Sequence, residues 1–201
     1  MRVGYVGIGN MGGPMAANLA RAGNEVVIGD LNQLAVDAFT TEHETARPAN
    51  GLAAVGQEAE AVFTCLPNGK IVAEAVLGEG GIAEGMAEGS VLVDMSSSAP
   101  MGTIDLGKTL LERGIRMVDA PVSGGVPRAV EGTIAIMVGG AKEDIEKVRP
   151  ALETMGGQIF ETGGLGSAHA MKSINNVLSA TNLLVGIEAL VVGKKFGLDP
   201  Q

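Results

Sequence analysis

Lys172 is followed at three and four positions by Asn175 and Asn176, in a segment with helical periodicity. That spacing puts all three side chains on one helix face. One cation and two amides in a row suit a polar cleft. The loop before them, Gly163-Gly164-Leu165-Gly166-Ser167, has the glycines that let a helix N-terminus approach a ligand closely. Ser123-Gly124-Gly125 offers a hydroxyl and successive backbone amides to a single anion, such as a carboxylate. Ser96 to Ser98, taken alone, are ordinary turn residues. His169 precedes Lys172 by one turn and His43 sits in a polar loop, and both read as ordinary polar contacts. No cluster has metal-ligand spacing and no Ser-His-Asp arrangement is discernible, so no metal is expected and the chemistry must come from a cofactor.

The cofactor's place is marked near the N-terminus. Gly7-Ile8-Gly9-Asn10-Met11-Gly12 follows an apolar run and opens onto a helical segment. In this G-x-G-x-x-G spacing the first glycine permits the turn, the second lets the backbone approach a pyrophosphate and the third lets helix and strand pack closely. Asp30 lies about 20 residues on, where an acidic side chain takes ribose hydroxyls. The following Leu31-Asn32-Gln33 has no cation to receive a 2′-phosphate. Carboxylate against phosphate at ~4 Å repels by roughly 4 kcal/mol per charge pair at an effective dielectric of about 20. NAD is therefore expected over NADP, with Gly7, Gly9, Asn10, Met11, Gly12, Asp30, Leu31 and Asn32 around it. Methyltransferases share a glycine-rich turn with a later acidic residue, so these residues alone leave the nicotinamide open.

Short Val/Ile-rich runs predict strands at Arg2–Val6, Glu25–Ile28, Ala61–Leu66, Ser90–Asp94, Ile115–Asp119, Thr133–Val138 and Gln158–Glu161. Helical periodicity falls between them at Gly12–Arg21, Gln33–Thr40, Ile71–Val76, Met101–Glu112 and Lys142–Met155, and then from about Gly166 to Phe196. The alternation predicts an α/β fold, a Rossmann-type doubly wound and mostly parallel sheet. Ligands collect at the carboxyl ends of such strands, which brings Leu66-Pro67-Asn68, the Ser96-Ser97 loop and the Ser123 loop together. The last helix would span on the order of 45 Å and project beyond the sheet domain. The apolar run Val177 to Val192 is interrupted by Asn182 and Glu188, so it is expected to be a buried helix, not a membrane span; its second half, from Leu183 to Val192, is apolar nearly all round and calls for packing partners that an absent part of the protein would supply. Gly197 followed by Asp199-Pro200 suggests one helix ending and another about to start, and hence a chain cut short of a helical domain.

Formal charge is −9 with no basic cluster, which argues against nucleic acid as a partner. Hydrophobic residues make up 46% of the chain and aromatic ones 2%, so the core must be aliphatic. Cys65, the single cysteine, is expected as a buried thiol in a reducing, cytoplasmic setting, and no export signal precedes Arg2.

At these residues the sequence resembles the β-hydroxyacid dehydrogenase family, whose members include 3-hydroxyisobutyrate dehydrogenase and tartronate semialdehyde reductase and which is related to 6-phosphogluconate dehydrogenase. The resemblance runs from Met1 to about Pro200 through GIGNMGGPMAANL, DMSSSAP, DAPVSGGVPRAVEGT and GGLGSAHAMKSINN, in that order. It implies NAD(P)-dependent interconversion of a small 3-hydroxy acid and its semialdehyde. Lys172 would be the catalytic acid/base, Ser123, Gly124 and Gly125 would hold the substrate carboxylate, and Asn175 and Asn176 would belong to the substrate site. Leu66, Pro67, Ser96 and Ser97 would line the cofactor site. It further implies a dinucleotide-binding domain over residues 1–162, then a catalytic loop and long interdomain helix over 163–201, an absent all-helical domain, and a homodimer or higher oligomer. Ala168 departs from the glycine many members carry in this loop. Alternatives are an imine reductase on the same scaffold and a catalytically inactive dinucleotide-binding module.

Overall fold

The computed structural model describes residues 1–199. The elements run β1 (Arg2–Val6), α1 (Gly12–Arg21), β2 (Glu25–Gly29), α2 (Gln33–Glu42), β3 (Ala46–Pro48), α3 (Leu52–Gln57), β4 (Ala61–Thr64), α4 (Gly69–Leu77), α5 (Ile82–Gly85) and β5 (Val91–Asp94). There follow α6 (Pro100–Leu111), β6 (Arg116–Asp119), β7 (Val122–Ser123), α7 (Gly125–Glu131), β8 (Ile134–Gly139), α8 (Lys142–Met155), β9 (Gly156–Gly163) and α9 (Ser167–Lys195). Each strand that the Val/Ile-rich runs predict is present, and β3, α3, α5, β7 and α7 are additional.

One sheet contains all the strands, in the order β3-β2-β1-β4-β5-β6-β8-β7 with β9 also paired to β8. From β3 to β6 every pairing is parallel, whereas β8 runs antiparallel to β6 and β7. Central strands buried on both faces need apolar residues at every position, and β4 (AVFT) and β5 (VLVD) are buried throughout. Alternate side chains feed two cores. Val3, Tyr5, Phe63 and Val93 pack with α1 and α8 on one face. Val6, Val62, Leu92 and Met117 pack with α3, α4 and α6 on the other. The chain passes from β1 to β2 on one side and later to β4 on the other, so a crevice opens at the carboxyl ends of β1 and β4.

The helices that face this crevice are placed by local chemistry. Asn68 caps α4 by accepting hydrogen bonds from the Lys70 and Ile71 amides. Pro100 occupies the first turn of α6, where its missing N–H costs nothing. Gly166, at φ +88°, starts α9, and a Cβ there would come within 2.9 Å of Ile104 on α6. At the far end of α9, Gly197 adopts φ +82° and the Leu198 amide returns to the Gly193 carbonyl, so the expected glycine stop is present. The proposed helix start at Asp199-Pro200 lies partly outside the described residues.

Val177–Val192 is not covered by any other described element. Ala168 and His169 are the only buried residues of α9, while Leu183, Leu184, Ile187 and Leu190 are each at least half exposed. The reason is geometric: the helix leaves the edge of the sheet after its first turns, and no other described element runs beside it. By length and composition it is also apolar enough to cross a membrane. Cys65 departs from expectation, since its side chain is half-buried and lines the crevice instead of being sealed in the core.

Candidate active site

The crevice is a cavity of about 1080 Å³ bounded by the Gly7–Gly12 loop, the end of β2, the Leu66-Pro67 turn, the Met95–Ser97 loop and the root of α9. At its floor the three motif glycines do different things. Gly7 adopts φ +94°, and a Cβ there would lie 2.4 Å from the Cys65 carbonyl oxygen. A Cβ on Gly12 would lie 1.9 Å from the Gly7 carbonyl oxygen. One on Gly9 would meet nothing within 4 Å, so bare backbone faces open space there. The N-terminus of α1 ends at this loop without any side-chain cap, leaving amides and a positive helix end for an anion. Beside the loop, at the end of β2, Asp30 accepts hydrogen bonds from the Ile8 amide through Oδ2 and the Asn32 amide through Oδ1, both at 2.8 Å. A carboxylate offers about four acceptor sites, so two amides leave capacity for a diol. Bare glycine backbone, a helix N-terminus and a carboxylate acceptor beside them fit a dinucleotide.

Lys172 lines the same cavity. Its side chain is half-buried, makes no hydrogen bond or ion pair with any described residue, and has its pKa lowered by that burial. Asn176, one turn on, also lines the cavity. What fixes this helix is a buried polar cluster at the ends of β5 and β6. Asp94 accepts from Thr64 Oγ1 and the Ser96 amide at 3.0 Å and from Ser98 Oγ at 2.7 Å. Asp119 accepts from the Gly166 and His169 amides, both at 2.8 Å. Gly166 has no side chain with which to cap α9, so Asp119 caps it from the sheet. Burial pushes the Asp119 carboxyl upward, and the two amides and His169 pull it back toward the charged form.

The sequence-predicted residues divide accordingly. Gly7, Gly9, Asn10, Met11, Gly12, Asp30, Leu31, Leu66, Pro67, Ser96, Ser97, Gly125, Lys172 and Asn176 all line the one cavity. Asn32 does not: its side chain turns back to cap α2 through the Ala35 amide, the commitment that an Asn before a helix ordinarily makes. Ser96 lines the wall, but its hydroxyl already accepts from the Leu66 amide at 2.9 Å. Ser123, Gly124 and Asn175 are not part of the lining, and Asn175 Nδ2 donates to Ser123 Oγ at 3.4 Å, tying the Ser123 loop to the helix of Lys172. Sequence reasoning did not bring Asp94, Asp119 and His169 together, although His169 makes the polar contacts expected of it. The available signal was an acidic residue ending each of two apolar runs, in DMSSSAP and DAPVSGG.

Residues 2–164 match the NAD-binding domain of 6-phosphogluconate dehydrogenase, and residues 166–201 match the NAD-binding model of NADP-dependent 3-hydroxyisobutyrate dehydrogenase. The chain belongs to the β-hydroxyacid dehydrogenase family. Its site is accordingly a nicotinamide-dinucleotide site, with the choice between NAD and NADP left open by the match. Among relatives in this family, 2-(hydroxymethyl)glutarate dehydrogenase of Eubacterium barkeri is 40% identical over all of this chain and 66% of its own length. The 2-hydroxy-3-oxopropionate reductase of Escherichia coli (strain K12) is 36% identical over 100% of this chain and 68% of that protein. The chain thus spans about two thirds of the length of the curated relatives it matches. The structure of Mycobacterium tuberculosis 3-hydroxyisobutyrate dehydrogenase with L-serine superposes with a TM-score of 0.92 at 31% identity, covering 100% of this chain and 68% of that one. An imine reductase from Myxococcus stipitatus superposes at 0.90 with 16% identity, a likeness of fold alone.

Proposed function

We propose that this chain forms the dinucleotide-binding and catalytic part of an oxidoreductase that interconverts a small 3-hydroxy acid and its semialdehyde. One observation carries the reading: a half-buried lysine with no hydrogen-bond or ion-pair partner among the described residues faces the same cavity as the glycine loop and Asp30. Lys172 is the general acid/base. Charged, it donates a proton to the substrate's carbonyl oxygen; neutral, it accepts one from the hydroxyl. Ser123 with the Gly124 and Gly125 amides holds the substrate carboxylate, Asn175 orients the Ser123 hydroxyl, and Asn176 orients the substrate. The glycine loop, Asp30 and the Leu66-Pro67 and Ser96-Ser97 turns hold the dinucleotide, which when bound supplies or accepts hydride.

A spectrophotometric screen of NAD and NADP against short 3-hydroxy acids, with cyclic imines as a second panel, tests this reading. Turnover confined to imines would replace it, and tight NADH binding without turnover on either panel would reduce the chain to a binding module. The pH profile adds a signed test. An ordinary lysine, with pKa about 10.4, is almost wholly charged at neutral pH. Because burial lowers the pKa of Lys172, oxidation is expected to rise with pH along a limb below that ordinary value. Reduction, which needs the charged form, is expected to fall through the same limb.

NAD is the preferred cofactor in this reading, because the Asp30 carboxylate opposes a 2′-phosphate and no cation stands at Leu31 or Asn32 to offset it. Asp30→Ala is expected to weaken NADH binding about tenfold while moving the NADPH-to-NADH affinity ratio toward NADPH by about a hundredfold. An unchanged ratio in fluorescence titrations would remove Asp30 from cofactor choice.

A further inference from the structure

Asp94 and Asp119 are direct cross-strand neighbours in the parallel register of β5 and β6, and both are buried, at 1% and 0% exposure. Two carboxylates side by side in a low-dielectric interior repel each other unless a donor or cation lies between them. The group there comes from α9. The His169 ring, 0% exposed, has Nε2 3.8 Å from Asp94 Oδ2 and Nδ1 3.6 Å from Asp119 Oδ2. Its close hydrogen bonds go elsewhere: Nε2 donates to the Ser96 carbonyl at 3.0 Å, and Nδ1 shares a 2.8 Å bond with Thr103 Oγ1 on α6. A carbonyl only accepts, so the Nε2 proton is fixed. One ring thereby joins the ends of two strands, the cavity-lining loop after β5, and α6 to the first turn of the helix that carries Lys172.

We propose that His169 is a positioning residue: seated between Asp94 and Asp119, it fastens the catalytic helix to the Ser96 loop and so sets where the Lys172 side chain stands in the cavity. The proposal rests on the role given to Lys172 above. Asp119 alone would hold the backbone of the first turn, because it bonds only amides. The imidazole is what ties that turn to the loop, through Ser96. The same loop residue contacts the Leu66 amide through its hydroxyl, so both cofactor-facing turns are connected to the lysine's helix through His169. Loss of the ring is expected to loosen the helix and let the lysine side chain reach water, and to disorder the Ser96 wall.

The test uses the cofactor-free chain, so it does not depend on turnover. Lys172 Nζ is titrated by NMR in isotopically lysine-labelled protein, with the resonance assigned by its absence from Lys172→Ala. His169→Leu removes both ring contacts; His169→Gln keeps an N–H for the Ser96 carbonyl and serves as the conservative variant should the leucine chain fail to fold. In folded protein the lysine is expected to titrate nearer the ordinary value of about 10.4 in His169→Leu, with His169→Gln between it and the parent. NADH affinity is expected to fall about tenfold and about threefold respectively, as for loss of one buried hydrogen-bonded contact and its partial retention. If both the lysine titration and the NADH affinity of the folded variants match the parent, the proposal is overturned even if their melting temperatures drop, since that would be a purely structural role. Undiminished turnover in Lys172→Ala would instead overturn the assignment of the lysine, leaving the titration result standing.

Discussion

Lys172→Ala is expected to lower turnover of a 3-hydroxy acid by about 10²- to 10⁴-fold, the range for removing a general acid/base, while NADH binds within about threefold of the parent. The separation follows from where the side chain stands. It has no hydrogen bond or ion pair with a described residue, so its removal leaves no buried group unsatisfied. Alanine is also the best helix former, so α9 is expected to persist. The glycine loop and Asp30, to which the proposal assigns the dinucleotide, are separate parts of the cavity lining. Single-turnover absorbance and NADH fluorescence titration read the two quantities separately. Turnover within tenfold of the parent would take the lysine out of proton transfer.

The second large effect separates two glycines three residues apart. Gly12→Ala is expected to destabilise the fold by about 3 kcal/mol or more, because the new methyl carbon would fall 1.9 Å from the Gly7 carbonyl oxygen and must push backbone against backbone. For a chain of this size that is a drop in Tm on the order of 10 °C. Gly9→Ala is expected to melt with the parent, since its methyl would meet nothing within 4 Å. It should nonetheless bind NADH about a hundredfold more weakly, by holding the pyrophosphate off the loop amides, whose bonds to a charged group are worth about 1.5–3 kcal/mol each. Calorimetry with ligand titration on both variants decides the point; a Gly9→Ala chain that binds normally would show that no anion approaches that backbone.

Much of this architecture is legible in the amino-acid sequence, and the exceptions have physical causes. Buried parallel strands must be apolar throughout, which is why VGYV, VVI and VLVD stand out. Ala46–Pro48 is an edge strand of three residues containing Arg and Pro, so it carries no such signal. α7 begins at Gly125-Val126-Pro127, residues that advertise a turn. On the site side, glycine spacing and the acidic residue after β2 identify the dinucleotide end because that chemistry is local in sequence. The Asp94–His169–Asp119 cluster is not local. Its members are 25 to 75 residues apart, and only the β5/β6 register and the docking of α9 bring them together. Apolarity in Val177–Val192 indicates a surface that prefers cover, and it says nothing of whether a neighbour within these residues provides it.

The shape of α9 has a mechanical corollary. Its root is gripped by Asp119 and His169, and the whole helix is 29 residues long, from Ser167 to Lys195. Tilting the helix by about 5° about its first residue would swing the outer tip by about 4 Å, yet carry the lysine's backbone, about 7.5 Å along, by only about 0.7 Å. Distance along the helix would thus set a ratio of about sixfold between displacement at the tip and displacement at Lys172.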